Sequence, residues 1–349
     1  MILRRIEAEN FRNLAGEPIE FHPQTNLIVG RNGQGKTNLL EAIYLLATTK
    51  SFRTPRVVNA FRFGAETLFV SGVLHRESVE RTLSVGMDAG RRVLMINGER
   101  VPLHDYLRAM TVFAYSSARL EILRGSPEER RRFLDRGLAS IDASYLAGIT
   151  RYARVLKQRN ALLQTRSAAA LDAWDAEFLE TGTTIQKARA AYVDALRSAF
   201  GEIATQYNVR RIDMEYRPSV ADVTRRREEL RAGVSLTGPQ RDNVDFTIDG
   251  RPAHEVLSGG ELKMIVLLLK FAKLALFGRR QDDEAVFLLD DLDAELDLEI
   301  LQELLTRLPP KTQVFATSAK DRLIGDLAAG PHRRLMIENG RVTASEDFA

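Results

Sequence analysis

The chain has 349 residues, 44% of them hydrophobic and 28% charged, so it can bury the core of one large domain or of two. Its 50 basic and 47 acidic residues leave a net charge of only +3, which by itself does not indicate nucleic-acid binding. The absence of cysteine excludes disulfides, thiolate metal sites and cysteine nucleophiles. The N-terminus has no secretory h-region, and the most apolar stretch, residues 264–269, is too short to span a bilayer. We therefore expect a cytoplasmic protein with no membrane association.

The first region, residues 1–113, consists mainly of short apolar or alternating runs, which are typical of β-strands. Turn signals at residues 88–90 and 97–98 predict hairpins between residues 67 and 103. One helix is predicted from Lys36 to about Ala47, because apolar residues recur there at helical spacing. The residues expected on its buried face are Leu39, Leu40, Ile43, Leu46 and Ala47.

From about Ser117 to Glu229 the pattern becomes helical. Ser126 is a predicted N-cap, with Pro127 at the first helical position and Glu129 as its capping-box partner. Two further helices are predicted at residues 145–165 and 170–207, and neither carries the sustained heptads of a long coiled coil. These helices predict a compact arm inserted into the first domain.

The last region, from about residue 235, returns to strands alternating with helices. The elements predicted there are a buried helix at 263–277, a buried strand at 286–291, an amphipathic helix at 296–308 and a buried strand at 312–318. This alternation predicts an α/β fold with a mostly parallel sheet. We expect a head built from residues 1–115 and 233–349, with an antiparallel β subdomain in its first part, and a helical arm formed by residues 116–232.

The strongest local motif matches G-x-x-x-x-G-K-[ST] and lies between a predicted strand and a predicted helix. It consists of Gly30, Arg31, Asn32, Gly33, Gln34, Gly35, Lys36 and Thr37. Glycines allow backbone N–H groups to turn inward around phosphate oxygens, and the helix that follows adds a favourable dipole. The motif predicts ATP and Mg²⁺ as cofactors, with Lys36 on the β- and γ-phosphates and the Thr37 hydroxyl on the metal. A glycine-rich turn without a ligand is the alternative, and the flanking strand and helix argue against it.

An apolar strand ends in two acids, Asp290 and Asp291. An acid that emerges from a buried strand beside the phosphate loop can hold Mg²⁺, and the next acid can polarise the attacking water. We therefore predict Asp290 as a metal ligand and Asp291 as the catalytic base. Taken alone, the same string would equally suit a strand that ends in a solvated acidic turn.

A third motif, Leu257 to Glu261, reads LSGGE and precedes a long apolar helix. In order after the phosphate loop and before the acid pair, it resembles the signature of ABC-type ATPases. The resemblance implies that Ser258, Gly259 and Gly260 bind the γ-phosphate of a nucleotide held by another copy. It also implies a D-loop at residues 292–297 and a switch residue at Thr317, in the position where these ATPases often carry histidine.

Several strings along the whole chain are similar to the RecF family within the SMC/Rad50/RecF branch of these ATPases. They are ENFRNL at residues 9–14, NLLEAI at 38–43, KSFRT at 50–54, GSPEERRRFLD at 125–135 and GPQRD at 238–242. The sequence departs from the family pattern at Gln240, where histidine is usual, and at residues 114–120, which lack Pro-Glu-Asp. The resemblance implies an ABC-type ATPase head with an inserted helical arm.

The resemblance further implies an ATP-dependent homodimer that binds duplex or gapped DNA in DNA repair, replication and recombination. It implies slow, DNA-stimulated ATP hydrolysis and partners of the RecR and RecO type that help load a recombinase. Because Asp291 is shorter than the glutamate of many relatives, slow hydrolysis is expected. An ABC-type regulatory ATPase of a defence or nuclease system is the alternative, and a transporter cassette is disfavoured by the SMC-like opening of the chain.

The predicted arm carries a cluster of basic residues that could follow a phosphate backbone. Eleven basic and five acidic residues lie between Arg119 and Arg166. The candidates for DNA contact are Arg130, Arg131, Arg132, Arg151 and Arg154. Such contacts would be independent of sequence and sensitive to salt. The alternative, a solvated helix face with internal ion pairs, is the better interpretation for any single arginine.

Overall fold

The computed structural model describes residues 1–76, 79–88, 90–116, 120–167, 170–207, 209–280, 284–292, 298–309, 311–320 and 330–349. The chain forms two compact units, Met1–Arg119 with Asp282–Ala349, and Leu120–Gln281. The segment predicted as the second part of the head, 233–349, is thus divided between the units. Most of the predicted D-loop, residues 293–297, lies outside the described residues.

The first unit contains an antiparallel sheet in the order β2-β1-β4-β5-β6-β7. Its strands are β1 (Ile2–Glu9), β2 (Ile19–Glu20), β4 (Thr67–Arg76), β5 (Val79–Asp88), β6 (Arg92–Ile96) and β7 (Glu99–Arg100). The hairpins predicted between residues 67 and 103 are confirmed, and the turn at Asn97–Gly98 joins β6 to β7. Helix α2 (Leu103–Leu107) follows.

The second sheet of this unit has the order β15-β14-β3-β13-β12-β8 and is parallel except for the edge strand β15. Its strands are β3 (Thr25–Val29), β8 (Val112–Ser116), β12 (Ala285–Asp290), β13 (Thr312–Ser318), β14 (His332–Glu338) and β15 (Arg341–Phe348). Helix α10 (Leu298–Thr306) lies between β12 and β13 in the chain. The predicted buried strands at 286–291 and 312–318 are confirmed, since every residue of β12 is buried.

Helix α1 (Lys36–Thr48) packs against strands of both sheets, including β4, β12 and β13. The predicted single buried face is therefore too narrow, because every residue from Leu39 to Ala47 is buried. This helix and the two sheets form one continuous hydrophobic core in the first unit. A helix that is buried all round is fixed in position, and its N-terminus is fixed with it.

The second unit is mainly helical, and the predicted arm helices are confirmed within a few residues. Its helices are α3 (Glu121–Arg124), α4 (Pro127–Ile141), α5 (Ala143–Gln164), α6 (Leu171–Gln206), α7 (Arg226–Ala232), α8 (Ala253–Val256) and α9 (Gly259–Arg280). A three-stranded antiparallel sheet consists of β9 (Asp213–Arg217), β10 (Asn243–Ile248) and β11 (Arg251–Pro252). Among the described helices of both units, none is long and apolar enough to cross a membrane.

Helix α9 belongs to this unit because it packs against α4 and α6. Lys273 of α9 is buried, donates to the Phe133 carbonyl oxygen at 2.8 Å and lies 4.2 Å from the centre of the Phe133 ring. Burial lowers the pKa of the Lys273 ammonium well below its usual value. This packing joins α9 to the other helices of the second unit.

Arg189 of α6 links two of the strings that resemble the RecF family. Its guanidinium donates to Asp135 Oδ1 at 2.9 Å and to Asp242 Oδ2 at 2.7 Å, and it also reaches the Pro239 carbonyl at 2.7 Å. Arg189 is 2% exposed, so this pairing is shielded from solvent. The acids that end GSPEERRRFLD and GPQRD therefore have a structural role inside the arm.

Arg159 of α5 is the largest fully buried side chain of the described residues. It donates to Asp175 at 2.8 Å, to Glu229 at 2.6 Å and to the Ser235 hydroxyl at 2.7 Å, and it lies over the Phe178 ring. These contacts tie α5, α6 and α7 together. Arg226 also pairs with Asp175, so the two carboxylates are balanced only while both guanidinium groups are present.

We predict that Arg159→Leu lowers the free energy of unfolding by about 3–5 kcal/mol, because it leaves the buried Glu229 carboxylate without an arginine partner and Asp175 with Arg226 alone. Urea unfolding followed by the fluorescence of Trp174, the only tryptophan and a residue of α6, measures this effect. The control is Arg132→Leu, which removes a half-exposed arginine and should change stability by less than about 1 kcal/mol. Equal effects of the two substitutions would contradict the prediction.

Candidate functional site

The phosphate loop connects the end of β3 at Val29 to the start of α1 at Lys36. Gly33 and Gly35 have φ angles of 80° and 118°, which glycine adopts without strain. The Lys36 ammonium donates to the carbonyl oxygens of Gly30 at 2.6 Å and Arg31 at 3.1 Å. The buried lysine therefore lies inside the loop, where it can exchange carbonyl partners for phosphate oxygens.

The remaining residues of the motif differ in exposure. Arg31, Asn32 and Gly33 are exposed, whereas Gln34 and Thr37 are half-buried. The rim of the loop is thus open to a ligand, and its base is held by the protein. All eight residues of the predicted motif are brought together as one loop at the N-terminus of α1.

Asp290 ends the buried strand β12 and is only 4% exposed. Its Oδ1 accepts hydrogen bonds from the Thr37 hydroxyl at 2.8 Å and from the Thr317 hydroxyl at 3.0 Å. Its Oδ2 accepts from the Ser116 hydroxyl at 3.3 Å. Three elements, α1, β13 and β8, therefore converge on one carboxylate at the carboxyl edge of the parallel sheet.

Burial raises the pKa of the Asp290 carboxyl above its ordinary value, and the charge of Asp291 adds to this effect. The hydrogen bonds from Thr37, Thr317 and Ser116 oppose it. A buried carboxylate beside a threonine hydroxyl is a set of hard oxygen ligands, which suits Mg²⁺. Asp290 and Thr37 are thus the residues that fit the predicted metal.

Asp291 follows directly and is exposed, with a φ angle of 58°. Its backbone N–H donates to the Thr317 hydroxyl at 2.8 Å, and the N–H of Leu292 donates to the Thr317 carbonyl at 3.2 Å. The Thr317 hydroxyl therefore accepts from Asp291 and donates to Asp290. In this geometry the Thr317 hydroxyl links the two acids, and its role as a switch residue, which the resemblance implies, stays a prediction.

Ser258 lies in the second unit, at the start of α9. Its hydroxyl and its N–H donate to Glu261 Oε2 at 2.8 and 2.9 Å, and the Glu261 N–H donates back to the Ser258 hydroxyl at 3.3 Å. This is a reciprocal capping box. Gly259 and Gly260 face open space, since no described atom lies within 4 Å of a Cβ built at either position.

Four of the five arginines predicted to contact DNA are engaged within the arm. Arg130 donates to the Val244 carbonyl at 3.2 Å, and Arg131 donates to the Asp242 carbonyl at 2.7 Å. Burial lowers the pKa of both guanidinium groups from the ordinary value. These two arginines support the packing of α4 and are not arranged as a free surface for phosphates.

The other three arginines are exposed, and they differ in their ion pairs. Arg132 pairs with Glu128 and Glu129 on its own helix, and Arg151 pairs with Glu177 at 2.7 Å. Arg154 is exposed on α5. Arg130 and Arg131 are thus engaged inside the unit, and contact of Arg132, Arg151 and Arg154 with DNA stays a prediction.

A buried glutamate that sequence analysis missed joins three of the N-terminal strings. Glu41 of α1 is fully buried and accepts from Arg12 at 2.9 and 3.0 Å and from Arg53 at 3.3 Å. The Ser51 hydroxyl also donates to it. One carboxylate behind the phosphate loop thus joins ENFRNL, NLLEAI and KSFRT. In the sequence, the only signal that these strings share is their resemblance to the RecF family.

Comparison with known proteins supports this description. Residues 2–329 match the family described as RecF/RecN/SMC N terminal domain. The chain is 34% identical to the DNA replication and repair protein RecF of Geotalea daltonii, over 98% of this chain and 100% of that protein. It is also 34% identical to the protein of the same name from Synechococcus sp., over 91% of each.

Solved structures give the same result. The recombination mediator protein RecF-ATP in the RecFOR pathway superposes with a TM-score of 0.86 at 26% identity, covering 100% of this chain and 98% of that chain. An Smc head bound to the C-winged helix domain of ScpA superposes with a TM-score of 0.61 at 16% identity, covering 100% of this chain and 98% of that chain, which shows a shared fold.

The two sheets, the phosphate loop and the buried acid at the end of β12 define an ATPase of the ABC/SMC class, and the expected fold class is confirmed. Within that class, the identity over nearly the whole chain decides the family. The chain belongs to the RecF family.

We predict that Asp290→Asn lowers the rate of Mg²⁺-dependent ATP hydrolysis by a factor on the order of a hundred or more, because the predicted ligand to the metal is lost. The same substitution should keep or raise the thermal midpoint of the nucleotide-free protein at pH 7. The raised pKa of Asp290 means that stability falls as pH rises from the ordinary carboxyl pKa through the raised one, and the asparagine that replaces it does not ionise and so avoids this loss.

The control for this experiment is Asp105→Asn, which changes a half-exposed acid of α2. Calorimetry of the nucleotide-free proteins and a phosphate-release assay give the two readouts. Retained hydrolysis, or a lower midpoint for Asp290→Asn than for the control, would show that Asp290 does not have this role.

Proposed function

We propose that this protein is an ATP-dependent DNA-binding ATPase of the cytoplasm that dimerises on DNA with ATP bound and hydrolyses it slowly. The observation that carries the proposal is the cluster of Lys36, Thr37, Asp290 and Thr317 at one edge of the sheet. The chain also carries a capped signature serine and two glycines that face open space. Membership of the RecF family supports the roles in DNA repair, replication and recombination.

The chemistry follows from the positions of these side chains. The Lys36 ammonium exchanges its two carbonyl partners for oxygens of the β- and γ-phosphates, and the loop amides hold the same oxygens. Thr37 and Asp290 are the residues that would hold Mg²⁺, which neutralises phosphate charge when it is bound. The exposed Asp291 orients and polarises the attacking water. Because the side chain of Asp291 is short, we expect ATP hydrolysis to be slow.

The second half of the site is proposed to come from another copy of the chain. The Ser258 hydroxyl and the amides of Gly259 and Gly260 stand at the N-terminus of the 22-residue helix α9. An anion is favoured there by the unsatisfied amides and by the helix dipole. Because the glycines leave space for a close approach, a γ-phosphate presented by a second copy fits this position.

The proposed partners beyond DNA are recombination mediators of the RecR and RecO type. Their basis is family membership and the similar structure described as part of the RecFOR pathway. In this proposal ATP binding forms the clamp on duplex or gapped DNA, and hydrolysis resets it. The nucleotide then acts mainly as a switch for assembly of the dimer.

We predict that ATP, but not ADP, shifts the wild-type protein from monomer to dimer in sedimentation velocity. Lys36→Ala should abolish the shift by removing the phosphate contact, and Ser258→Ala should weaken the dimer at least about tenfold by removing the contact from the second copy. The control is Ser140→Ala, which removes a hydroxyl that donates only within α4. If Ser258→Ala dimerises as well as this control, a shared site is wrong.

A second prediction concerns the arm and DNA. Arg154 and Lys157 are exposed one turn apart on α5, so both can contact the same phosphate backbone. The double variant Arg154→Ala with Lys157→Ala should reduce the slope of log affinity for duplex DNA against log salt by about two. Fluorescence anisotropy at several salt concentrations measures this slope.

Arg132→Ala is the matched control for the DNA experiment, because Arg132 is already paired with acids of its own helix. It should leave the slope within about half a unit of the wild-type value. A double variant whose slope equals that of the control would exclude this face of α5 from the DNA contact.

A further inference from the structure

The turn between β14 and β15 contacts the phosphate loop directly. Asn339 and Gly340 form this two-residue turn, with φ angles of 49° and 79°. The Asn339 N–H donates to Gln34 Oε1 at 2.7 Å, and the Gly340 N–H donates to the Gln34 carbonyl at 2.8 Å. Both amides of the turn therefore bind a single residue of the loop.

The β14–β15 turn and the phosphate loop are packed so closely that the glycines where they meet leave no room for a side chain. A Cβ at Gly35 of the loop would lie 3.2 Å from the Gly340 Cα. A Cβ at Gly340 would lie 1.8 Å from the carbonyl oxygen of Asn13, a residue outside the loop that also packs on the turn. On the other side, a Cβ at Gly30 would lie 2.3 Å from the Ile337 carbonyl oxygen. The loop and the hairpin therefore pack backbone against backbone.

The hairpin is itself held in a fixed position. Strand β14 pairs in parallel with β3, and Met336 lies opposite Val29, the last residue before the phosphate loop. The Gly340 carbonyl oxygen accepts from the Ala15 N–H at 3.0 Å, which fastens the turn from its outer side. A turn that is anchored at both ends can restrain a loop that lacks side chains at three of its positions.

We infer that the Asn339–Gly340 turn is a positioning element for nucleotide binding, which holds the phosphate loop in its anion-binding form before the nucleotide arrives. The inference rests on the proposed ATP site. Without the turn, the loop would have to be ordered on binding, and that cost would lower the affinity. Of the phosphates that the loop holds, the β-phosphate is common to ATP and ADP, so the turn supports the affinity for both nucleotides and not the hydrolytic step.

The chain contains a matched control for this inference. Asn97 and Gly98, between β6 and β7, have φ angles of 52° and 82°, nearly the same as those of Asn339 and Gly340. No described atom lies within 4 Å of a Cβ built at Gly98. Alanine at either glycine meets the same left-handed strain, but only at Gly340 does the added Cβ also clash with the Asn13 backbone, so that the turn that binds Gln34 must shift.

The experiment compares wild type, Gly340→Ala, Gln34→Ala and Gly98→Ala. Titration with fluorescent mant-ATP and mant-ADP gives the Kd values, and steady-state phosphate release gives KM and kcat. For Gly340→Ala we expect both Kd values and KM to rise about tenfold or more, with kcat within about twofold of wild type. Gln34→Ala loses the hydrogen bond from the Asn339 N–H but keeps the one from the Gly340 N–H. It should raise both Kd values and KM about threefold. Gly98→Ala should have the same Kd values, KM and kcat as the wild-type protein.

Unchanged Kd values in a folded Gly340→Ala protein, or a fall in kcat with unchanged Kd, would overturn the inference. If Gly340→Ala does not fold, Gln34→Ala decides by the same criteria, since it leaves the turn intact. A wild-type protein that binds neither nucleotide would refute the proposed function itself. If the wild-type protein binds nucleotide and the variants bind it equally well, only the role of the turn is refuted.

Discussion

A charged carboxylate buried at the edge of a parallel sheet is the constraint on which the first unit depends. Asp290 is 4% exposed, and its oxygens are satisfied by hydroxyls from α1, β8 and β13. An ionised group in such a place is costly unless donors or a cation surround it. The register of β8, β12 and β13 supplies the donors, and the same arrangement brings the start of α1 beside the acid. The predicted affinity for a cation and the raised pKa of Asp290 thus have one physical origin.

The phosphate loop illustrates a related constraint, because a loop that exposes its amides to a ligand has few side chains with which to hold itself. Its support comes from outside: Lys36 covers two carbonyls, and the hairpin turn at Asn339–Gly340 binds Gln34. Glycine is required where backbones meet and also where the ligand must approach. The same residue type therefore serves packing on one side of the loop and recognition on the other.

Arginine has two different uses in the arm, and a count of charges does not separate them. Three consecutive arginines, residues 130–132, point in different directions because successive residues of a helix are about 100° apart. Arg130 and Arg131 therefore reach carbonyls inside the unit, while Arg132 pairs with acids on the helix surface. Buried Arg159 and Arg189 fix the arm helices to one another. Only the exposed positions remain for a partner.

The sequence by itself determined the fold class, the main strands and helices, the phosphate loop and the two acids, because each depends on residues that are close together in the chain. Only the tertiary structure showed that Ser116, 174 residues before Asp290, donates to it, and that Asn339 binds Gln34 across 305 residues. It also placed residues 233–281 with the arm, and it showed α1 to be buried on all sides by two sheets. Local patterns report the preferences of short segments, whereas these contacts arise from strand order and register, which bring distant residues to the same edge of a sheet.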